Sequence, residues 1–219
     1  MAILLEVWGD LACFSRPEMK VERVSYDVMT PSAARGLVEA VYYHPGLRWQ
    51  IDRIHVCAPI AFTNLRRNEV KSVASARTAR TVMEHGGELY ISTSKDIQQR
   101  AALLLKNVHY VIEAHFEMTP LAAPGDNPGK FQDIVTRRMR KGQCFHQPYF
   151  GCREFPANFR ECTELPACPE ELKGERDLGW MLYDMDYSDT ENICPRFFRA
   201  TLKNGVLNIP PWESEEVRG

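Results

Sequence analysis

The stretch GDNPGKFQDIVTRRMRKG, residues 125–142, puts a lysine where a helix disfavours one. Pro128 and Gly129 open a short predicted helix and Gly142 closes it, so Lys130 falls in the first turn, at the positive end of the dipole. That turn ordinarily carries an acid or receives an anion, and backbone N–H groups with the Lys130 ammonium would suit one phosphate. A second stretch, AVYYHPG, sets Tyr42, Tyr43 and His44 beside a loop at the end of another predicted helix. Tyr, His and Lys supply what metal-free RNA cleavage needs. The ribose 2′-OH attacks the adjacent phosphate, so the protein must align it, shift protons and offset charge at phosphorus. With a reference pKa of about 10, Tyr42 suits orienting the hydroxyl or donating a hydrogen bond better than acting as a base. Plainer readings stay open: Tyr42 also falls on an apolar helix face, and Lys130 fits a simple exposed lysine.

Other chemistries find less support. His109 and His115 share a strand face by parity, as do Glu113 and Glu117, but a solvent-facing polar face explains them equally. No HExxH, GxxxxGK[ST], GxSxG or complete GxGxxG occurs, and the seven cysteines contain no CxxC pair, so no metal or other cofactor is expected and the thiols read as reduced and structural.

Charge points to a polyanion through its distribution. The 219 residues are 44% hydrophobic with a net charge of −2, which alone argues against nucleic acid. Yet residues 64–80 carry Arg66, Arg67, Lys71, Arg77 and Arg80 against the single acid Glu69. Residues 130–142 carry Lys130, Arg137, Arg138, Arg140 and Lys141 against Asp133. Lys20, in the loop 10–29, adds a further cation, and the acids gather in CPEELKGERD, YDMDYSDTEN and ESEE. Local rather than net charge sets phosphate affinity.

The elements that must position these residues follow from pattern. AILLEVWG reads as a buried first strand ending at Gly9, not as a signal peptide. Thr30 caps a helix with Pro31 in its first turn and Pro45-Gly46 at its end; Ala34, Leu37, Val38, Val41 and Tyr42 form its apolar face. Residues 47–62 and 88–118 read as a long antiparallel hairpin, with the basic segment 64–80 an excursion between them. The second helix is 128–142, YFGCREFPANF a fourth strand, and Asn204-Gly205 a hairpin turn among later strands. Strand, helix, strand, strand, helix, strand is the α+β, ferredoxin-like (RNA-recognition-like) order. It predicts a core over 1–160 and a small antiparallel β extension over 161–219. No run spans a bilayer, so no membrane partner and a cytoplasmic location are expected.

Several co-linear motifs give the chain a family likeness. VWGDLACFSRPEMKVERVSYDVMTPSAARGLVEAVYYHP, KNVHYVIEAHF, GKFQDIVTRRMRKG and FGCREF together resemble the Cas protein of the fifth family, subtype I-C (Dvulg), a repeat-associated CRISPR protein. The resemblance implies a metal-independent endoribonuclease that cuts precursor CRISPR RNA at the repeat hairpin. It would then hold the 5′ handle in a surveillance complex with other subunits, and duplex DNA is a further expected partner. The family's catalytic Tyr falls on Tyr42 and its Lys on Lys130, but its adjacent His position holds Phe131, which carries no proton. His44 is the first substitute, followed by His109 and His146, while Phe131 would instead stack on a base. The alternative is a non-catalytic scaffold that grips the RNA or DNA.

Overall fold

A computed structural model of the chain describes residues 2–19 and 21–219; Lys20 lies outside the described residues. Strands β1 (Ala2–Ala12), β2 (Arg23–Val24), β3 (Leu47–Val56), β4 (Phe62–Val70), β5 (Ile97–Met118), β6 (Asn158–Glu161), β7 (Glu175–Asp186), β8 (Cys194–Lys203) and β9 (Val206–Asn208) form a single sheet. Its order is β6-β1-β5-β3-β9-β8-β7, with β2 and β4 also paired to β5, and every pairing is antiparallel except β2 with β5. Among the described residues three α-helices complete the fold: α1 (Pro31–Val41), α2 (Ala76–His85) and α3 (Pro128–Lys141). The protein is therefore α+β, a large antiparallel sheet with few helices.

The helices begin and end where their caps dictate. The Thr30 hydroxyl accepts from Ala33 N–H, and Tyr42, extended at φ −144°, stops α1. Asn127 caps α3 and Gly142 ends it in the left-handed region. Ala34, Leu37, Val38 and Val41 of α1 and Phe131, Val135 and Met139 of α3 share one core with Leu5, Val7, Trp49, Ile54, Tyr110 and Ile112 of the sheet. β9 joins β3 through Arg53–His55, so the C-terminal strands continue the same sheet. The Asn204-Gly205 turn forms as expected, both residues at positive φ.

Four sequence expectations are corrected. Residues 64–80 are no loop: β4 pairs with the first half of β5, and α2 caps this arm with no buried residue. β4 has one exposed face and one half-buried face, and the latter carries Thr63, Arg67 and Glu69 beside Leu65, so it shows no apolar alternation. The 47–62 strand breaks after Val56, before Pro59, which has no N–H for a ladder. The fourth strand covers only Asn158–Glu161, because 149–156 is a closed turn in which Phe150 N–H donates to Phe155 O. Gly9 does not end β1. It sits mid-strand, where a Cβ would come within 2.9 Å of the Phe150 ring and 3.0 Å of the Pro156 carbonyl.

The same turn explains the glycine of FGCREF. Gly151 has φ +77°, and a Cβ there would overlap the Cys13 carbonyl oxygen, while Cys13 N–H donates to Phe150 O at 3.1 Å. Gly151→Ala combines backbone strain with a clash that neither chain can relieve. It should cost about 3 kcal/mol or more, measured as the shift in urea unfolding midpoint, and a loss under about 0.5 kcal/mol would contradict this packing.

Candidate active site

Four segments meet beside the N-terminus of α3. The end of α1 brings Tyr42 and His44, the loop before α3 brings Asp126, the first turn of α3 brings Lys130 and Phe131, and β5 brings Phe116. Phe131 is the centre. It is 0% exposed, with ring centroids 6.1 Å from Tyr42, 4.8 Å from His44 and 6.0 Å from Phe116. Trp49 backs Phe116 edge-on at 5.3 Å and donates its indole N–H to the Tyr42 carbonyl at 2.9 Å. Burying a phenylalanine stabilises by about 1.5–3 kcal/mol, so this cluster fixes the positions of the polar residues around it. The expectation that Phe131 stacks on a base is corrected here: its ring has no exposed face to offer.

Tyr42 is also buried, and the Arg138 guanidinium lies over its ring at 5.0 Å. Among the described residues its hydroxyl has no hydrogen-bond partner. Burial raises the Tyr42 pKa, Arg138 and Lys130 oppose the rise, and Asp126 adds to it. Tyr42 is therefore a protonated donor at neutral pH.

Lys130 is not a free cation. Its ammonium donates to Asp126 Oδ1 at 2.8 Å, and its backbone N–H donates to the Asn127 cap at 2.9 Å. The paired phosphate groups that the sequence suggested are thus already occupied by the chain's own acceptors. The Asp126 side chain, 3% exposed, also accepts from Ala123 N–H at 2.9 Å, and Oδ2 faces His44 Nε2 at 3.8 Å. Lys130 holds the Asp126 carboxyl below its usual range, chiefly through their hydrogen bond, and Asp126 raises the lysine in return. His44 Nδ1 accepts from Gly46 N–H at 3.0 Å, which assigns the ring proton to Nε2, towards Asp126. Tyr42, His44 and Lys130 are brought together. Asp126 was missed, although it precedes Lys130 by the four-residue spacing of an acid–base pair.

The remaining expected residues divide. Arg66, Lys71, Arg77 and Arg80 on the arm, and Arg137 and Lys141 on α3, are exposed. Arg67 pairs with Glu69 and Glu154, Arg140 with Glu161, and Arg138 donates to the Val41 carbonyl at 2.7 Å. Lys130 and the arm lie towards opposite ends of β5, so the two basic islands are not one patch. His146 sits beside Phe145, at 5.7 Å between rings.

His109 lies elsewhere, in the Glu6 cluster. Glu6 is buried, accepting from Arg160 at 2.6 and 2.8 Å and meeting His109 Nε2 at 2.8 Å. His115 meets Asp52 at 2.9 Å, and Glu113 faces Arg53 and His55. Among the described residues no three His, Cys, Asp or Glu side chains converge as metal ligands would. All seven cysteines are free thiols.

Known proteins share this arrangement of sequence and fold. The family described as CRISPR-associated protein (Cas_Cas5) matches residues 2–210. A CRISPR pre-crRNA endoribonuclease Cas5d of Mannheimia succiniciproducens is 49% identical, over 99% of this chain and 98% of its own. A protein of the same name from Thermus thermophilus is 37% identical, over 97% and 93%. Among solved structures, a CRISPR-associated protein superposes with a TM-score of 0.70 at 21% identity, covering 100% of this chain and 97% of its own. A functionally uncharacterized protein from Streptococcus mutans does so with 0.70 at 22% identity, covering 100% and 97%. At those identities the two structures bear on fold alone.

Two outcomes test this geometry. Phe131→Ala should cost about 3–5 kcal/mol in urea melts, as for any emptied aromatic core site. A base-stacking side chain would instead leave stability unchanged. For Glu6, the Arg160 hydrogen bonds lead in lowering the carboxyl below 4.5, burial opposes them, and His109 assists. Its stabilising contribution is complete above that value and is lost as pH falls through the lowered native pKa. In Arg160→Met the acid-side loss should shrink, followed by melts down to about pH 3.

Proposed function

Because the chain belongs to the Cas5d family of CRISPR-associated proteins, we propose that it is a metal-independent endoribonuclease of CRISPR repeat RNA. The observation that carries the reading is the enclosed Asp126 carboxylate, set between Lys130 Nζ and the Nε2 edge of His44 near the Tyr42 hydroxyl. A phosphate oxygen that displaces Asp126 inherits the same two groups. Tyr42 donates to or orients the 2′-OH, whose oxygen attacks phosphorus while the P–O5′ bond breaks. Lys130 offsets the added negative charge. His44 directs its Nε2–H as a hydrogen bond to the departing 5′ oxygen, which takes its proton from water, and the 2′-OH proton leaves to solvent. The products are a 2′,3′-cyclic phosphate and a 5′-OH.

The strand order β6-β1-β5-β3, with α1 and α3 between its members, supports a ferredoxin-like core for this chemistry. Exposed cations on the arm and α3 then track the RNA backbone, which makes affinity salt-sensitive and extends to duplex DNA. After cleavage the chain keeps the 5′ handle within a type I-C surveillance complex. No helix among the described residues is long and apolar enough to cross a membrane, in keeping with a cytoplasmic role.

Phe131 favours a second reading. A buried phenylalanine in place of the expected histidine carries no proton, which suits a scaffold that grips RNA without cutting it.

A repeat hairpin incubated with the protein in EDTA separates the two. One cut ending in a 2′,3′-cyclic phosphate is expected, and Tyr42→Phe and Lys130→Ala should each lower its rate roughly 10²–10³-fold. Tight binding without a cut would establish the scaffold and overturn the enzyme.

A further inference from the structure

Next to the buried Tyr42 stands a pair of aromatic rings in water. Tyr42 is extended, so the following residue points the other way, and Tyr43 is 51% exposed. Phe145, just beyond α3, is 63% exposed, with its ring centroid 6.1 Å from that of Tyr43 and the planes 37° apart. Neither ring sits on loose chain. Phe145 N–H and His146 N–H both donate to the Ala40 carbonyl, at 2.8 and 3.1 Å, and Gln143 N–H donates to Arg138 O at 2.9 Å. The segment after α3 is thus pinned to the last turn of α1. Single exposed apolar residues need no explanation, but two large rings in contact, on fixed backbone beside the candidate site, do.

We propose that Phe145, with Tyr43 beside it, is the stacking platform for one unpaired nucleobase next to the scissile phosphate. This rests on the endoribonuclease reading and adds a positioning residue to it. Charge favours a nucleotide over an apolar protein partner. The last turn of α3, immediately before this segment, holds Arg138, Arg140 and Lys141, and Arg138 bridges the two aromatic neighbourhoods by donating to Val41 O beneath its contact with Tyr42. Of these, Arg140 is paired with Glu161 and Arg138 is held at Val41 O, while Lys141 is exposed, so it is the cation left to meet the phosphate of a strand that crosses Phe145. Every base has a π face, so such a platform sets register along the strand and tolerates sequence. The stacking function suggested by the residue beside Lys130 falls instead to rings that have a face to offer.

The test uses the full chain and an RNA with one repeat hairpin, made uncleavable for binding by a 2′-deoxy at the attacking position. Phe145→Ala should weaken binding about 5- to 150-fold, and with cleavable RNA the loss should fall mainly in KM. Phe145→Trp should restore binding, whereas Phe145→Leu, apolar but without a π face, should not. An abasic nucleotide at one position flanking the cut should weaken the wild type equally and add nothing to Phe145→Ala. A residue that only supports the fold would show no such coupling. If the wild type cuts the hairpin and Phe145→Ala or Phe145→Leu binds as well as it does, the platform is overturned and the enzyme stands. If Phe145→Ala keeps RNA affinity but loses a co-purifying protein subunit, the rings are a protein interface and the proposal fails. A wild type that neither binds nor cuts overturns the functional reading, and this inference with it.

Discussion

One strand of 22 residues has to satisfy its backbone along both edges, and the rest of the chain is arranged around that demand. β1 runs along one side of β5. On the other side β3 covers the last part and β4 the first, with the short β2 closing a remaining gap. The change of partner falls at residues 57–61, opposite Asn107, which takes φ +53° where the long strand passes from one partner to the other. The arm therefore leaves one end of β5 while Tyr42, His44 and Lys130 assemble at the other. An RNA that touched both basic regions would have to run along the protein, which gives phosphate contacts over many nucleotides and chemistry at only one of them.

At the site, rigidity and charge are supplied by different residues. The ring of Phe131 closes the core beside Tyr42 and His44, so both are held on packed backbone. Asp126 supplies the negative charge that the N-terminus of α3 favours, which removes the apparent oddity of a lysine in that turn. The lysine answers an acid from the preceding loop, and the helix dipole opposes it by only about 0.3–1 kcal/mol. An RNA phosphate must then compete with a carboxylate already in place. Such competition makes Lys130 an acceptor-exchange site, holding its charge in position before substrate arrives.

Much was legible where local rules decide the outcome. Thr30-Pro31, Pro128 and Gly142 mark helix ends because caps and first-turn preferences act within a few residues. Asn204-Gly205 makes its turn from backbone preference alone. The apolar positions of α1 are all buried as their spacing predicts. The arm was hidden because the half-buried face of β4 carries Thr63, Arg67 and Glu69 beside Leu65, which leaves no apolar alternation, and α2 has no buried residue. Gly9 looked like a stop, since a sequence does not show that the Phe150 ring will occupy the space of its missing side chain.

The amino-acid order by itself determined α1, α3, the Asn204-Gly205 turn, the family likeness and the identities of Tyr42, His44 and Lys130. Only the tertiary structure decided what those residues face. Lys130 and Phe131 are adjacent in sequence, but neighbouring positions on a helix point about 100° apart, so one meets solvent and Asp126 while the other fills the core. Tyr42 and Tyr43 part in the same way across an extended residue. Residue types limit the available chemistry; the direction each side chain takes depends on packing between distant segments, and that is set when the fold closes.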